Sequence, residues 1–248
     1  MTKKITAVFL AALFALLSLT CAAGAEEAKK TFTDASQTCA FVVMGKDFTV
    51  PLRVVPAELT VNGERRDVYF IAMLGVKSNN AQVNSGKSLF QAAFGFSNPY
   101  YELTKSVLLE NVPEGAALVF ACHSLGGMVA QRLRTDAELK DRYEILHVLT
   151  CGSPLILVKE ADAEGTLIRL ADTGDAVPFL SPATLCCLSR QLKTACREDG
   201  GYALDPDGAH NLSYLRQDVW GEYDALGLKG GDAALSFDPA AVVEYGAE

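Results

Sequence analysis

A serine hydroxyl attacks a carbonyl carbon only when a base removes its proton, and a histidine does this well only when a carboxylate holds its tautomer and stabilises its charge. The chain carries one such set in the order serine, acid, histidine. The serine is Ser124, within Val119-Phe120-Ala121-Cys122-His123-Ser124-Leu125-Gly126-Gly127-Met128-Val129-Ala130. An apolar run of strand length, Ala116 to Ala121, precedes it, and Met128, Val129 and Leu133 follow at helical spacing. Ser124 is therefore predicted on a sharp strand-to-helix turn, a nucleophile elbow, which requires small residues two positions to either side. Gly126 meets that requirement, and Cys122 stands where the first glycine is usual. The competing interpretation is a buried serine at an ordinary strand-helix junction, with two glycines for close packing.

The chain has three histidines. His123 is part of the elbow and His147 sits within an apolar strand, where a core histidine is the simpler expectation. His210, in the polar segment Asp205-Pro206-Asp207-Gly208-Ala209-His210-Asn211, is left as the base. The acid falls in Asp172-Thr173-Gly174-Asp175-Ala176-Val177-Pro178, where Asp172 and Asp175 are both candidates. Either could instead be a turn aspartate bonding its own backbone. Asp175 lies further out from the preceding strand and ahead of a rigidifying proline, so it is preferred.

These residues need a scaffold of strands, each followed by a loop. Cys39 to Met44 reads as a first strand, after a polar lead-in from Glu26 to Ser36. Glu58-Leu59-Thr60-Val61 and the run from Glu64 to Leu74 flank Asn62-Gly63, the strongest two-residue hairpin signal. The second arm becomes continuously apolar, as a strand buried on both faces should. Asn98 and Pro99 cap a helix from Tyr100 to Leu109. Charged residues from Arg134 to Arg142 mark a surface connection; Glu144 to Cys151 and Thr166 to Ala171 are further strands, and the tail beyond Gly227 carries little signal. Strands alternating with helices at this spacing predict an α/β fold with a mostly parallel sheet and helices on both faces.

Near the start, Lys3-Lys4 precede an apolar run from Ile5 to Leu17, and Ala23-Gly24-Ala25 offers a small-x-small cleavage pattern. Residues 1–25 thus read as a secretory signal peptide, leaving 26–248 as one domain; lipid anchoring through Cys21 is the alternative. Half of the residues are apolar and the net charge is −8. No basic stripe exists to neutralise phosphates, which argues against nucleic-acid binding. An exported chain permits disulfides, and a local bridge involving Cys196 near Cys186 and Cys187 is one expectation, with Cys122 and Cys151 as buried thiols. The absence of a C-x-x-C pair and the scarcity of histidine argue against zinc.

Taken together these stretches resemble the class 3 lipases, the fungal-lipase-like branch of the α/β-hydrolases, from about Val68 to Tyr214. His123-Ser124-Leu125-Gly126-Gly127 is similar to the family's His-Ser-Leu-Gly-Gly, and Thr150-Cys151-Gly152-Ser153-Pro154 to its Thr-Phe-Gly-Ser-Pro. Arg169 through Pro178 resembles the segment ending in Asp-Pro-Val-Pro, and Ala209-His210 with Tyr214 resembles the histidine loop. The resemblance implies the α/β-hydrolase fold and a Ser124, Asp175, His210 triad. It also implies oxyanion donors in the backbone N–H groups of Leu125 and Val76, although Leu74-Gly75-Val76 replaces the family's Gly-Thr or Gly-Ser and supplies no hydroxyl. A segment at the position of Leu89 to Phe96 covers the serine in that family and opens at lipid surfaces. Phe90, Phe94 and Phe96, flanked by Gly86 and Gly95, are accordingly candidates for a lid or substrate pocket, with fixed core packing as the alternative.

The expectation is an exported serine carboxylester hydrolase acting through an acyl-enzyme, on a lipid or small ester, with transient contact with lipid surfaces. It calls for no metal, organic cofactor or protein partner. An acyltransferase or thioesterase on the same triad, and a non-catalytic binding protein on the same scaffold, are the alternatives.

Overall fold

The computed structural model describes residues 28–43, 50–76 and 86–246. The leader with its cleavage pattern, Cys21, Met44 and the polar loop after Val76 lie outside the described residues. Among those described, no helix is long and apolar enough to cross a membrane.

The architecture is α/β, built on one mixed sheet. Its strands are β1 (Lys30–Phe32), β2 (Leu52–Val61), β3 (Glu64–Met73), β4 (Ala117–His123), β5 (Glu144–Cys151), β6 (Thr166–Asp172), β7 (Ala195–Glu198), β8 (Ala234–Phe237) and β9 (Val243–Tyr245). They are ordered β1-β8-β2-β3-β4-β5-β6-β7, with β9 also paired to β2. From β3 to β7 every neighbouring pair is parallel; β1, β2, β8 and β9 form an antiparallel edge. The β2–β3 hairpin turns at Asn62 and Gly63, whose φ values of 51° and 77° are what a two-residue hairpin turn demands.

The sheet is covered on both faces, as β4 makes plain. Leu118, Phe120 and Cys122 enter one apolar cluster, while Ala117, Val119 and Ala121 enter the other. Successive side chains of a strand point to opposite faces, so a strand apolar at every position must be buried twice. The first cluster is completed by α3 (Pro99–Asn111) and α4 (Leu125–Leu133), through Tyr100, Leu108, Met128 and Leu133. The second is completed by α1 (Ala35–Val43) and α9 (Gln217–Trp220), through Ala35, Cys39, Val42 and Trp220. α3 begins as the sequence requires: Asn98 Oδ1 accepts from Tyr100 N at 3.0 Å and Tyr101 N at 3.1 Å, and Pro99 opens the helix.

Four expectations are corrected. Cys39 to Val43 is helical, not a strand. Asp34 caps the helix by accepting from Gln37 N at 3.0 Å, and Ala35, Cys39 and Val42 then fall on one buried stripe. The lead-in is likewise structured, since β1 pairs with β8. The tail beyond Gly227 supplies β8 and β9, both on β2. The connection after α4 contains the helix α5 (Ala137–Arg142), and Arg134 before it is buried, donating to the carbonyls of Glu164 at 2.9 Å and Gly165 at 2.6 Å.

The six cysteines among the described residues are free thiols. Cys186 closes α6 (Pro182–Cys186) and Cys196 lies in β7, with α7 (Leu188–Thr194) between them. Seven helical residues hold the two regions about 10 Å apart along the helix axis, beyond the reach of a disulfide.

His147 is a core histidine. Its Nε2–H donates to Leu226 O at 2.7 Å, and burial lowers its pKa from 6.5 to about 4. Between those values the unfolded chain binds a proton at His147 that the folded chain does not. Stability is therefore complete above about pH 6.5 and is lost as pH falls toward 4, by on the order of 3 kcal/mol from this group. Urea midpoints measured across that window should fall for the wild type, and the fall should shrink in His147→Gln.

Candidate active site

The C-terminal ends of the parallel strands bring the proposed residues together. Ser124 follows β4 with φ 51° and ψ −120°, a backbone conformation that side chains rarely adopt, and its N–H donates to Cys151 O at 3.1 Å. The turn is sharp because α4 must start immediately against β3. A methyl group on Gly126 would lie 2.6 Å from Leu74 O, so only glycine fits there. Cys122, on the other side of the serine, is buried in the first cluster, where burial pushes its thiol well up in pKa and leaves it an unreactive, small core residue.

His210 arrives from the other end of the chain. It sits near the end of α8 (Pro206–Asn211), a short helix where a loop was expected, capped by Asp205 accepting from Gly208 N at 2.9 Å. Its Nε2 is 3.0 Å from Ser124 Oγ and its Nδ1 is 2.9 Å from Asp175 Oδ2. A carboxylate only accepts, so Nδ1 carries a proton toward Asp175, and Nε2 is free to accept from the serine. Three side chains separated widely in sequence thus form one hydrogen-bonded series. Ser124 is 7% exposed and Asp175 2%, so the series opens to solvent mainly at the serine and histidine.

Asp175 and Asp172 have different tasks. Asp175 accepts from His210, from Val177 N at 2.9 Å and from Tyr214 Oη–H at 2.8 Å. Asp172, fully buried, accepts from Gly174 N at 2.7 Å and from Gly200 N, tying the end of β6 to the loop after β7. Both aspartates bond the backbone two residues on, and only Asp175 also meets the histidine.

Three contributors escape a reading of the motifs alone. Tyr214 donates to Asp175 while its oxygen accepts from Asp172 N at 3.1 Å; burial raises its pKa well above 10, so the phenol stays a donor. Its position four residues after His210 was the only signal for it. His123 donates from Nε2 to the main-chain carbonyl of His210 at 2.9 Å, and the two rings lie 4.7 Å apart. Gly152, with φ 63°, lies under the histidine-aspartate pair: a methyl group there would be 3.1 Å from His210 Nδ1 and 3.2 Å from Asp175 Oδ2.

Leu125 opens α4, so its N–H lies in the first turn, where helix amides lack carbonyl partners one turn earlier. Gly75 lies against the serine, since a methyl group on it would be 2.9 Å from Ser124 Cβ, and Val76 follows it directly. The aromatic segment forms α2 (Gly86–Ala93) and the turn after it, and α2 packs against α4. Phe94 lies between Phe90, tilted against it at 4.8 Å, and Phe96, stacked on it at 6.2 Å; the outer two residues are 63% and 58% exposed. The rings are neither core nor joined to the hydrogen-bonded series by any polar contact.

No protein-family model matches the chain, and no curated protein matches it.

Proposed function

We propose that this chain is an exported serine carboxylester hydrolase that works through an acyl-enzyme on an α/β-hydrolase fold. One observation carries the reading: the unbroken series from Ser124 Oγ through His210 to Asp175, at 3.0 and 2.9 Å, on a strained strand-to-helix turn. A serine at an ordinary strand-helix junction needs neither that backbone strain nor two further side chains aligned with its hydroxyl.

In this mechanism His210 Nε2 takes the Ser124 proton as Oγ bonds to the acyl carbon. The oxygen of the tetrahedral intermediate is held by the backbone N–H groups of Leu125 and Val76. His210 then delivers the proton to the departing alkoxide as the ester C–O bond breaks, and a water activated by the same nitrogen releases the acid. Asp175, held by Tyr214 and Val177, keeps Nδ1 protonated and stabilises the imidazolium that forms in each half-reaction. No step requires a metal or organic cofactor. Two oxyanion donors from backbone alone, without a hydroxyl at Val76, set a modest ceiling, since one such donor is worth ~3 kcal/mol.

The surroundings favour an apolar acyl group. Val76, Phe90, Phe96, Leu180, Leu204 and Leu212 are all exposed, and all lie on segments that follow β3, β6 or β7 in the chain, strands whose C-terminal ends form the rim that bears Ser124. Phe90, Phe94 and Phe96 belong to that rim, as a lid or pocket wall meeting lipid.

A fluorophosphonate probe tests the reading. Mass analysis should place one adduct on Ser124, with hydrolysis of p-nitrophenyl esters lost in proportion to labelling. An unlabelled Ser124 in protein that is folded and probe-exposed would end the proposal.

A further inference from the structure

Arg169 is an internal cation with no acid beside it. It lies in β6, is 0% exposed, and forms no ion pair with a carboxylate among the described residues. Burial lowers its pKa only to about 10, so it remains charged at neutral pH. Its two Nη groups reach the connection after β5 once and the long connection between β6 and β7 twice, while Nε is buried with no hydrogen-bond partner among the described residues. Nη2 donates to Ser153 O at 2.8 Å and to Pro178 O at 2.8 Å, and Nη1 donates to Gln191 Oε1 on α7. A buried cation without a counter-charge is costly, and an apolar side chain of similar volume would fill the same space at less cost. Stability alone therefore does not account for it.

What distinguishes the two carbonyls is where they lie. Pro178 closes the turn that begins at Asp175, and Ser153 follows Gly152, the residue beneath His210 and Asp175. We infer that Arg169 is a positioning residue, whose planar fork clamps the loop after β5 to the loop after β6 and so fixes Asp175 Oδ2 against His210 Nδ1. Nη2 takes both carbonyls while Nη1 holds Gln191, and lysine, a point charge on a shorter flexible stem, has no second nitrogen fixed in that plane to keep all three bonds. The catalytic consequence rests on the hydrolase reading above; the geometric part does not.

The experiment pairs kinetics with a spectroscopic readout that needs no turnover. Arg169→Lys and Gln191→Leu are made alone and combined with Asp175→Asn, and assayed on a short p-nitrophenyl ester. In parallel, proton spectra of histidine-labelled protein follow the low-field Nδ1–H of His210, assigned by its loss in His210→Gln. Arg169→Lys should lower kcat roughly 10- to 100-fold with KM within about twofold, yet add less than about threefold in the Asp175→Asn background, because residues acting through one group are non-additive. Its low-field signal should shift or vanish while circular dichroism stays native. Additive losses, or an unchanged signal in folded Arg169→Lys, overturn the inference. If Arg169→Lys does not fold, Gln191→Leu decides in the same way: a smaller fall in kcat that disappears in the Asp175→Asn background supports the clamp, and an additive one overturns it. A wild type without esterase activity would end the hydrolase reading, and the His210 signal would still decide whether Arg169 positions Asp175.

Discussion

Ser124→Ala should lower kcat on a p-nitrophenyl ester by a factor on the order of 10⁴ to 10⁶, the range expected when a nucleophile is removed and the remaining groups still bind and polarise the substrate. The fold should survive the change. The hydroxyl is bonded to His210 Nε2 and takes part in neither apolar cluster. Alanine also keeps the Cβ, so the strain at φ 51° stays in place. Glycine removes it. Strain in a sparsely populated backbone region costs ~1–3 kcal/mol, and glycine gives back less than ~1 kcal/mol in unfolded-state entropy. Ser124→Gly should consequently be as inactive as Ser124→Ala and melt at a higher temperature. An active Ser124→Ala protein would refute the mechanism; equal melting temperatures for the two variants would show that the turn is not strained.

The second large effect separates two aspartates that lie three positions apart. Asp175→Asn should reduce kcat by ~10⁴, because an amide can present its NH₂ toward His210 and hold the imidazole in the wrong tautomer. Asp172→Asn should leave kcat within a few-fold, since that carboxylate touches only Gly174 N and Gly200 N. It should instead lower stability by ~1–3 kcal/mol, as one of those buried N–H groups then faces another donor. Asp175→Asn carries a comparable stability cost for the same reason, with Val177 N and Tyr214 as its donors. Rate and stability measured on both variants therefore distinguish a chemical role from a structural one. Equal rate losses would contradict the assignment.

What the sequence discloses here is what local chain chemistry encodes. The elbow is readable because strand, turn and helix adjoin within a dozen residues and the turn tolerates only small neighbours. The hairpin at Asn62-Gly63 and the cap at Asn98-Pro99 are local in the same sense. The preference for Asp175 over Asp172 rests in the sequence on distance from the strand and a following proline, whereas the bonds that separate the two run to His210 and Tyr214, far along the chain. Cys39 to Val43 misleads because a short apolar run suits a buried strand and a buried helix alike. There the cap at Asp34 decided for helix, and β8 rather than that run took the place beside β2. Arg169 is the plainest limit: a charged residue in an apolar strand predicts nothing about which carbonyls will receive it.

The antiparallel edge has a bearing on when this protein can finish folding. Lys30 pairs with Phe237, and Leu52, already opposite Met73 in the hairpin, also pairs with Tyr245, so β1 and the outer side of β2 find their partners about 200 residues further along the chain. Contacts between such distant segments form slowly, because loop closure must precede the hydrogen bonds that reward it. The parallel strands β3 to β7 are complete in sequence before β8 and β9 exist, yet β2 stays open along its outer side until they do. Closure of the sheet thus waits for residues beyond Ala233, and until they are made the outer side of β2 has no strand beside it.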